Sequence, residues 1–252
     1  MKLRLSAPFK KALLMLPLIL LVAFIKTFAV EIFPFGNMAA GAEENAASIQ
    51  IILLLTVLAI APSILIMMTS FTRIIIVLSF IRNALGLNQM PPNQVLIGLS
   101  LFLSFFIMSP VITQINETAY RPYLQEEITQ EQAFDNSIVP IKDFMLKQIY
   151  SKDLNMFLQL AKADVPEAYE EISMNIIIPA FITSELKKAF QMGFFIFIPF
   201  IVIDMIVAST LMSMGMMMLP PSMISLPFKV LLFVMINGWG LTIQTLVASF
   251  NG

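Results

Sequence analysis

The sequence predicts an all-α membrane protein, built of apolar helical hairpins broken by prolines, with one small helical region facing water. Three observations carry that prediction. The 252 residues are 58 % hydrophobic and only 12 % charged, with a mean hydropathy of +0.87, too apolar for a soluble domain whose surface must be polar. Several almost uncharged segments approach the roughly 20 residues that cross a bilayer as a helix. Prolines lie inside those segments, where each withdraws a backbone hydrogen bond.

Composition also excludes functions. Lys and Arg number 15 against 16 Asp and Glu, a net charge of −1, so no basic surface points to a nucleic-acid partner. Cysteine and histidine are both absent. That removes disulfide scaffolds, Cys/His metal sites, a catalytic cysteine and His-based acid–base chemistry. No catalytic residue, cofactor or metal is expected.

The N-terminus carries Lys2, Arg4, Lys10 and Lys11, followed by the apolar run Ala12–Ile25 before Lys26. A basic start and a short apolar stretch are the layout of a signal peptide. Residues 1–29 are assigned to it, with cleavage after Ala29; Ala40 is a competing site, and an uncleaved anchor helix is the other reading. Residues 30–48, small and polar, then form a flexible periplasmic N-terminus.

Four apolar segments follow: Ile49–Met68, Val95–Ile112, Ala189–Leu211 and Val230–Phe250. The first two belong to a helical hairpin region, 49–115. Between them, eight apolar residues flanked by Arg73 and Arg82 are too few to span and read as a reentrant or interfacial helix. Residues 116–188 are the one sizeable water-facing region, with seven Lys or Arg against twelve Asp or Glu, net −5. Here Leu154, Phe157, Leu158 and Ala161 fall at i, i+3, i+4 and i+7, and Ile141, Phe144 and Met145 begin a similar face. With Pro140 and Pro166 as punctuation, they predict two short amphipathic helices. Residues 189–252 are the C-terminal hairpin region. If the four segments alternate, the basic N-terminus, Arg73, Arg82 and Lys229 share the cytoplasmic side and the acidic region lies in the periplasm.

Pro62, Pro110, Pro199 and Pro227 each lie within or beside an apolar helix and should kink or interrupt it. Asp204 is the one carboxylate in the third apolar segment. As a buried anion it needs a donor, and it reads either as an ion or proton site or as an inter-subunit packing bond. Glu185, Lys187 and Lys188, at the outer end of the same segment, read as positioning charges that stay hydrated or pair across subunits. The run Met212–Pro221, MSMGMMMLPP, holds five methionines in seven positions. Taken alone, such a run reads as core filler.

Longer stretches carry a resemblance. PAFITSELKKAFQMGF (Pro179–Phe194) and PFIVIDMIVAS (Pro199–Ser209) are similar to two signature segments of the FliP/SctR family, export-gate membrane proteins of bacterial flagellar and injectisome type III secretion. MMMLPPSMISLPFKVLLFVMINGW (Met216–Trp239) and FTRIIIVLSFIRNALGLNQMPPNQVLIGL (Phe71–Leu99) resemble two further segments. The signal-like N-terminus and long acidic region are closer to the flagellar branch. The resemblance covers about residues 50 to 250.

It implies a pore-forming subunit of the flagellar type III export gate in the inner membrane at the flagellar basal body. A ring of five copies would assemble with FliQ and FliR, with FlhA and FlhB nearby, to pass unfolded proteins. Energy would come from partners. It also implies that Met216, Met217 and Met218 project into the pore as a gasket, presented between the hinges Gly215, Pro220 and Pro221. Thioethers on three rotatable bonds repack around unlike surfaces, as a seal for many substrates must. The alternative is an ion-coupled solute carrier using Asp204.

Overall fold

The computed structural model describes residues 42–87, 89–162, 172–216 and 218–250. The signal peptide, most of the expected flexible N-terminus, Pro166 and Met217 lie outside them. The described residues are helical throughout, with no strand among them. The chain divides into two units, residues 1–61 and 62–252.

The first helix, α1, is Ala42–Met68, starting within the stretch expected to be flexible. Its apolar part is Ile51–Ile64. Then come α2 (Phe71–Ala84) and α3 (Asn93–Ile115). A π-helical turn, Asn116–Tyr120, leads into the one-turn α4 (Arg121–Leu124). The region expected to be water-facing contributes α5 (Gln130–Gln148) and α6 (Ser151–Leu160). The 40-residue α7 (Met174–Ser213) is followed by α8 (Pro221–Met235) and α9 (Gly238–Ala248).

Helix α2, expected at a membrane surface, is instead the centre of the core. Its residues Ile74, Val77, Leu78, Ile81 and Ala84 are buried at helical spacing against Leu96 of α3, Ala189 and Phe200 of α7, Phe233 of α8 and Leu246 of α9. An eight-residue apolar run is too short to cross lipid; here one face of it is buried in the core, while Ile75, Ile76, Ser79 and Phe80 are half-buried. It packs tightly on α7 at Gly193, where an added Cβ would lie 2.5 Å from the Phe80 ring.

The two amphipathic helices form as the spacing predicts. Thr129 and Gln132 start α5 with a reciprocal capping box, each side chain bonded to the other's backbone N–H, as a helix start requires. Met145 of α5 and Leu154 and Leu158 of α6 then close a second core with Ile177, Ala180 and Phe181 of α7.

The four prolines expected to kink or interrupt apolar helices interrupt none of them. Pro62, Pro110, Pro199 and Pro227 all lie inside continuous helices, as do Pro140 and Pro179. A proline withdraws one backbone bond, while leaving the helix in an apolar setting would free several. In the C-terminal hairpin region the helical path is interrupted by the loop between α7 and α8 and bends by 62° between α8 and α9, where Asn237 takes a left-handed conformation.

Among the described residues, two helices are long and apolar enough to cross a bilayer, 93–124 counted through the π turn, and α7; the bent α8–α9 pair is a third candidate. At 1.5 Å per residue α7 is about 60 Å long, twice the roughly 30 Å hydrocarbon core. It therefore combines an apolar span with a section that packs on protein.

Candidate functional site

Helix α7 carries a polar junction near its start and a methionine loop at its end. The junction centres on Arg73 of α2, which is fully buried with Glu185 of α7. A guanidinium has five N–H donors in a fixed planar fork. Here all five are used. Nε donates to Glu185 Oε2 at 2.9 Å and Nη2 to Glu185 Oε1, a two-point ion pair. Nη2 also donates to Gln148 Oε1 of α5 at 2.9 Å, and Nη1 to the backbone oxygen and Oγ of Ser249 at 3.0 and 2.8 Å. The Phe250 ring lies 3.7 Å from the guanidinium carbon, a cation–π contact. Gln148 donates in turn to the Phe250 backbone oxygen at 3.2 Å. One side chain thereby ties α2 to α5, α7 and the segment after α9.

The neighbouring charges extend this junction. Lys188 donates to Gln148 Oε1 at 3.0 Å. Lys187 pairs with Asp153 of α6 at 3.4 Å. Ser184 donates to the same carboxylate at 2.7 Å and accepts from the Tyr150 N–H. Both lysines lie over the Tyr150 ring. Glu185 was expected to be hydrated or to pair across subunits; it is buried and paired within its own chain. Lys187 and Lys188 stand at the edge of the same junction.

Further along, Asp204 accepts from Ser225 Oγ and Lys229 Nζ of α8, both at 2.5 Å. The Lys229 side chain is buried, and that of Asp204 is 37 % exposed. The two charges stand at nearly equal distances either side of the α7–α8 loop, so an antiparallel hairpin brings them together. The pair fixes the hairpin register. Arg73 and Lys229, both read from sequence as charges flanking the membrane, are internal members of ion pairs.

The loop is built as its end residues require. Gly215 has φ +75°; its N–H bonds to Met212 O at 3.1 Å and the Met216 N–H to Leu211 O at 3.0 Å. Such paired bonds end a helix at a left-handed residue, which glycine adopts without strain. Pro220 then precedes α8 and Pro221 takes its first turn, where the missing N–H has no partner to lose. Between these stops Met218 is 97 % exposed, and Met212, Met214 and Met216 are exposed too. Behind the loop an apolar groove of about 430 Å³ is lined by Ile203, Ile206, Val207, Thr210, Leu211, Ile224 and Phe228. No group of three or more Asp, Glu, His or Cys placed to hold a metal occurs among the described residues.

This arrangement falls inside a family match. Residues 54–246 match the model of the FliP family. The chain belongs to the FliP family. It is 55 % identical over 208 residues to the flagellar biosynthetic protein FliP of Bacillus subtilis, covering 82 % of this chain and 94 % of that one. It is 51 % identical over 210 residues to the FliP of Pectobacterium carotovorum, covering 83 % and 81 %. For the FliP of Aquifex aeolicus it is 48 % over 226 residues, covering 89 % and 95 %. The chain is therefore an all-α membrane protein of flagellar biosynthesis. The match includes Arg73, Glu185 and Gln148 of the junction, the Asp204 pair and the methionine loop, and leaves residues 1–53 and 247–252, with Ser249 and Phe250, outside.

Sequence reasoning named Glu185, Lys187, Lys188 and Asp204 but missed Arg73, Gln148, Asp153, Ser249, Ser225 and Lys229 as their partners. For Lys229 the signal was present in its position opposite Asp204 across the loop. For Arg73 it was absent, because Glu185 is 112 residues away.

Proposed function

We propose that the chain is a pore-forming core subunit of the flagellar type III protein export gate, passing unfolded flagellar proteins across the bacterial inner membrane, with its methionine loop closing the pore. The loop carries this reading. Exposed methionines at the tip of a hairpin, fixed by Gly215 on one side and Pro220 and Pro221 on the other, are unlike core filler, which would be buried. Flexible thioethers converging from several copies of the chain form an apolar plug that holds water and ions out. A ring of five with FliQ and FliR, beside FlhA and FlhB, supplies those copies, and the large apolar area exposed on α3, α7 and α8 is surface for such neighbours and for lipid. In this reading residues 116–188 face the periplasm, residues 1–29 are removed as a signal, and no residue is catalytic.

A carrier that used Asp204 to couple an ion would have to exchange both Lys229 and Ser225 for that ion. In a ring, the Asp204 pair and the charges at Lys187 and Lys188 hold the hairpin and the packing surface in place.

Replacing Met216, Met217 and Met218 together by Ala tests the proposal. The variant is expected to co-purify in mild detergent with the same partners and in the same copy number as the parent, and to raise ion conductance through the reconstituted complex. Unchanged conductance would place the seal elsewhere. A chain that purifies only as a monomer or dimer, with no membrane-protein partner, would overturn the export-gate reading.

A further inference from the structure

Among the described residues, the loop also holds the most exposed methionine, Met218. The chain has 19 methionines and no cysteine, so thioethers are its only oxidisable sulfur. Their surroundings differ widely. Met145 is fully buried and Met108 nearly so, while Met218 is 97 % exposed. Other methionines, such as Met205 and Met235, are exposed on helices, where lipid or protein covers them in a membrane. Met218, like the exposed Met90, lies instead in a connection between helices, and irregular backbone at membrane depth is tolerated only where it is packed in protein or lines a water-filled cavity. A dissolved oxidant therefore reaches Met218 more readily than the methionines buried in the core or covered on helices.

We propose that Met218, with Met216 beside it, is an oxidation site through which peroxide loosens the seal; this rests on the gasket reading above. The thioether lone pair attacks one peroxide oxygen, the O–O bond breaks, and the departing hydroxide takes a proton to become water. The methionine loses two electrons and gains an S–O bond, and the peroxide is reduced. The product sulfoxide is polar and disrupts methionine-rich contacts. It brings water into a contact that works by excluding it. Two thiol equivalents, delivered by a methionine sulfoxide reductase, return the thioether with release of water and a disulfide.

The experiment treats the assembled complex, reconstituted in vesicles, with graded hydrogen peroxide. Sulfoxide is quantified residue by residue by mass spectrometry, and ion leak is followed in parallel. Met218 should react about tenfold or more faster than Met145, whose burial shields it. Leak should rise with Met218 sulfoxide and fall after treatment with reductase and thiol. Met218→Leu keeps an apolar side chain there and should make the leak much less sensitive to peroxide. Equal rates at Met218 and Met145 would overturn the site, and an unaltered peroxide response in Met218→Leu would overturn its effect on the seal. If the triple Ala variant fails to leak, the gasket reading falls, while the oxidation rates still decide the reactivity of Met218.

Discussion

The two halves of α7 obey opposite rules. Up to Gly193 the helix buries Ile177, Ala180, Phe181, Ser184, Glu185 and Ala189 on one face, and its charges have partners in α2 and α6. Beyond Gly193 only Phe200 and Leu211 are buried, and Phe195, Met205, Ile206 and Met212 stand exposed. A single apolar helix thus begins as a packed core element and ends as surface for lipid or other chains. The difference teaches that apolar composition alone does not say what a segment packs against. The positions of its charges and its one close-packed glycine say more.

The largest effect should come from breaking the first half at its centre. Glu185→Ala leaves the Arg73 guanidinium buried without its carboxylate, at a cost of about 3–5 kcal/mol. A large fall in the thermal unfolding midpoint in detergent is the expected readout, and a shift near zero would show that water reaches the junction. Gly193→Ala should follow. The new methyl would collide with the Phe80 ring, and overpacking of this kind costs about 1–3 kcal/mol. Pairing it with Phe80→Leu should recover part of that loss.

Asp204→Ala lies in the second half and should cost less, about 1–3 kcal/mol, because the pair is partly solvated but Lys229 is left buried without an acceptor. Adding Lys229→Met should recover some stability. A disulfide between cysteines placed across the hairpin, in a chain that otherwise has none, would report whether the register has slipped. Met218→Ala should change stability by less than about 0.5 kcal/mol. A larger loss would mean that the loop packs on its own chain and would blur the contrast between the halves.

How far this was legible follows from what each residue's neighbours are. The faces led by Ile141 and Leu154 are local patterns, and α5 and α6 formed where their spacing placed them. Gly215 and the two prolines are local as well, and the loop has the ends they specify. Arg73 was misread because an arginine beside an apolar run looks the same at a membrane boundary and in a buried ion pair. Its partners lie on α5, α7 and the segment after α9, and only the fold unites them. The four prolines of the apolar segments interrupt no helix, because leaving the helix in an apolar setting would expose several backbone groups where a proline withdraws only one bond.

Helix α7 also works as a lever. Glu185 stands near one end and the loop lies roughly 40 Å along the axis at 1.5 Å per residue. A tilt of about 5° at Glu185 sweeps the loop sideways by ~3 to 4 Å, about one side-chain contact distance. The five donors of Arg73 therefore set an angle as well as a stability. Aim at the far tip is decided by tolerances at the near end.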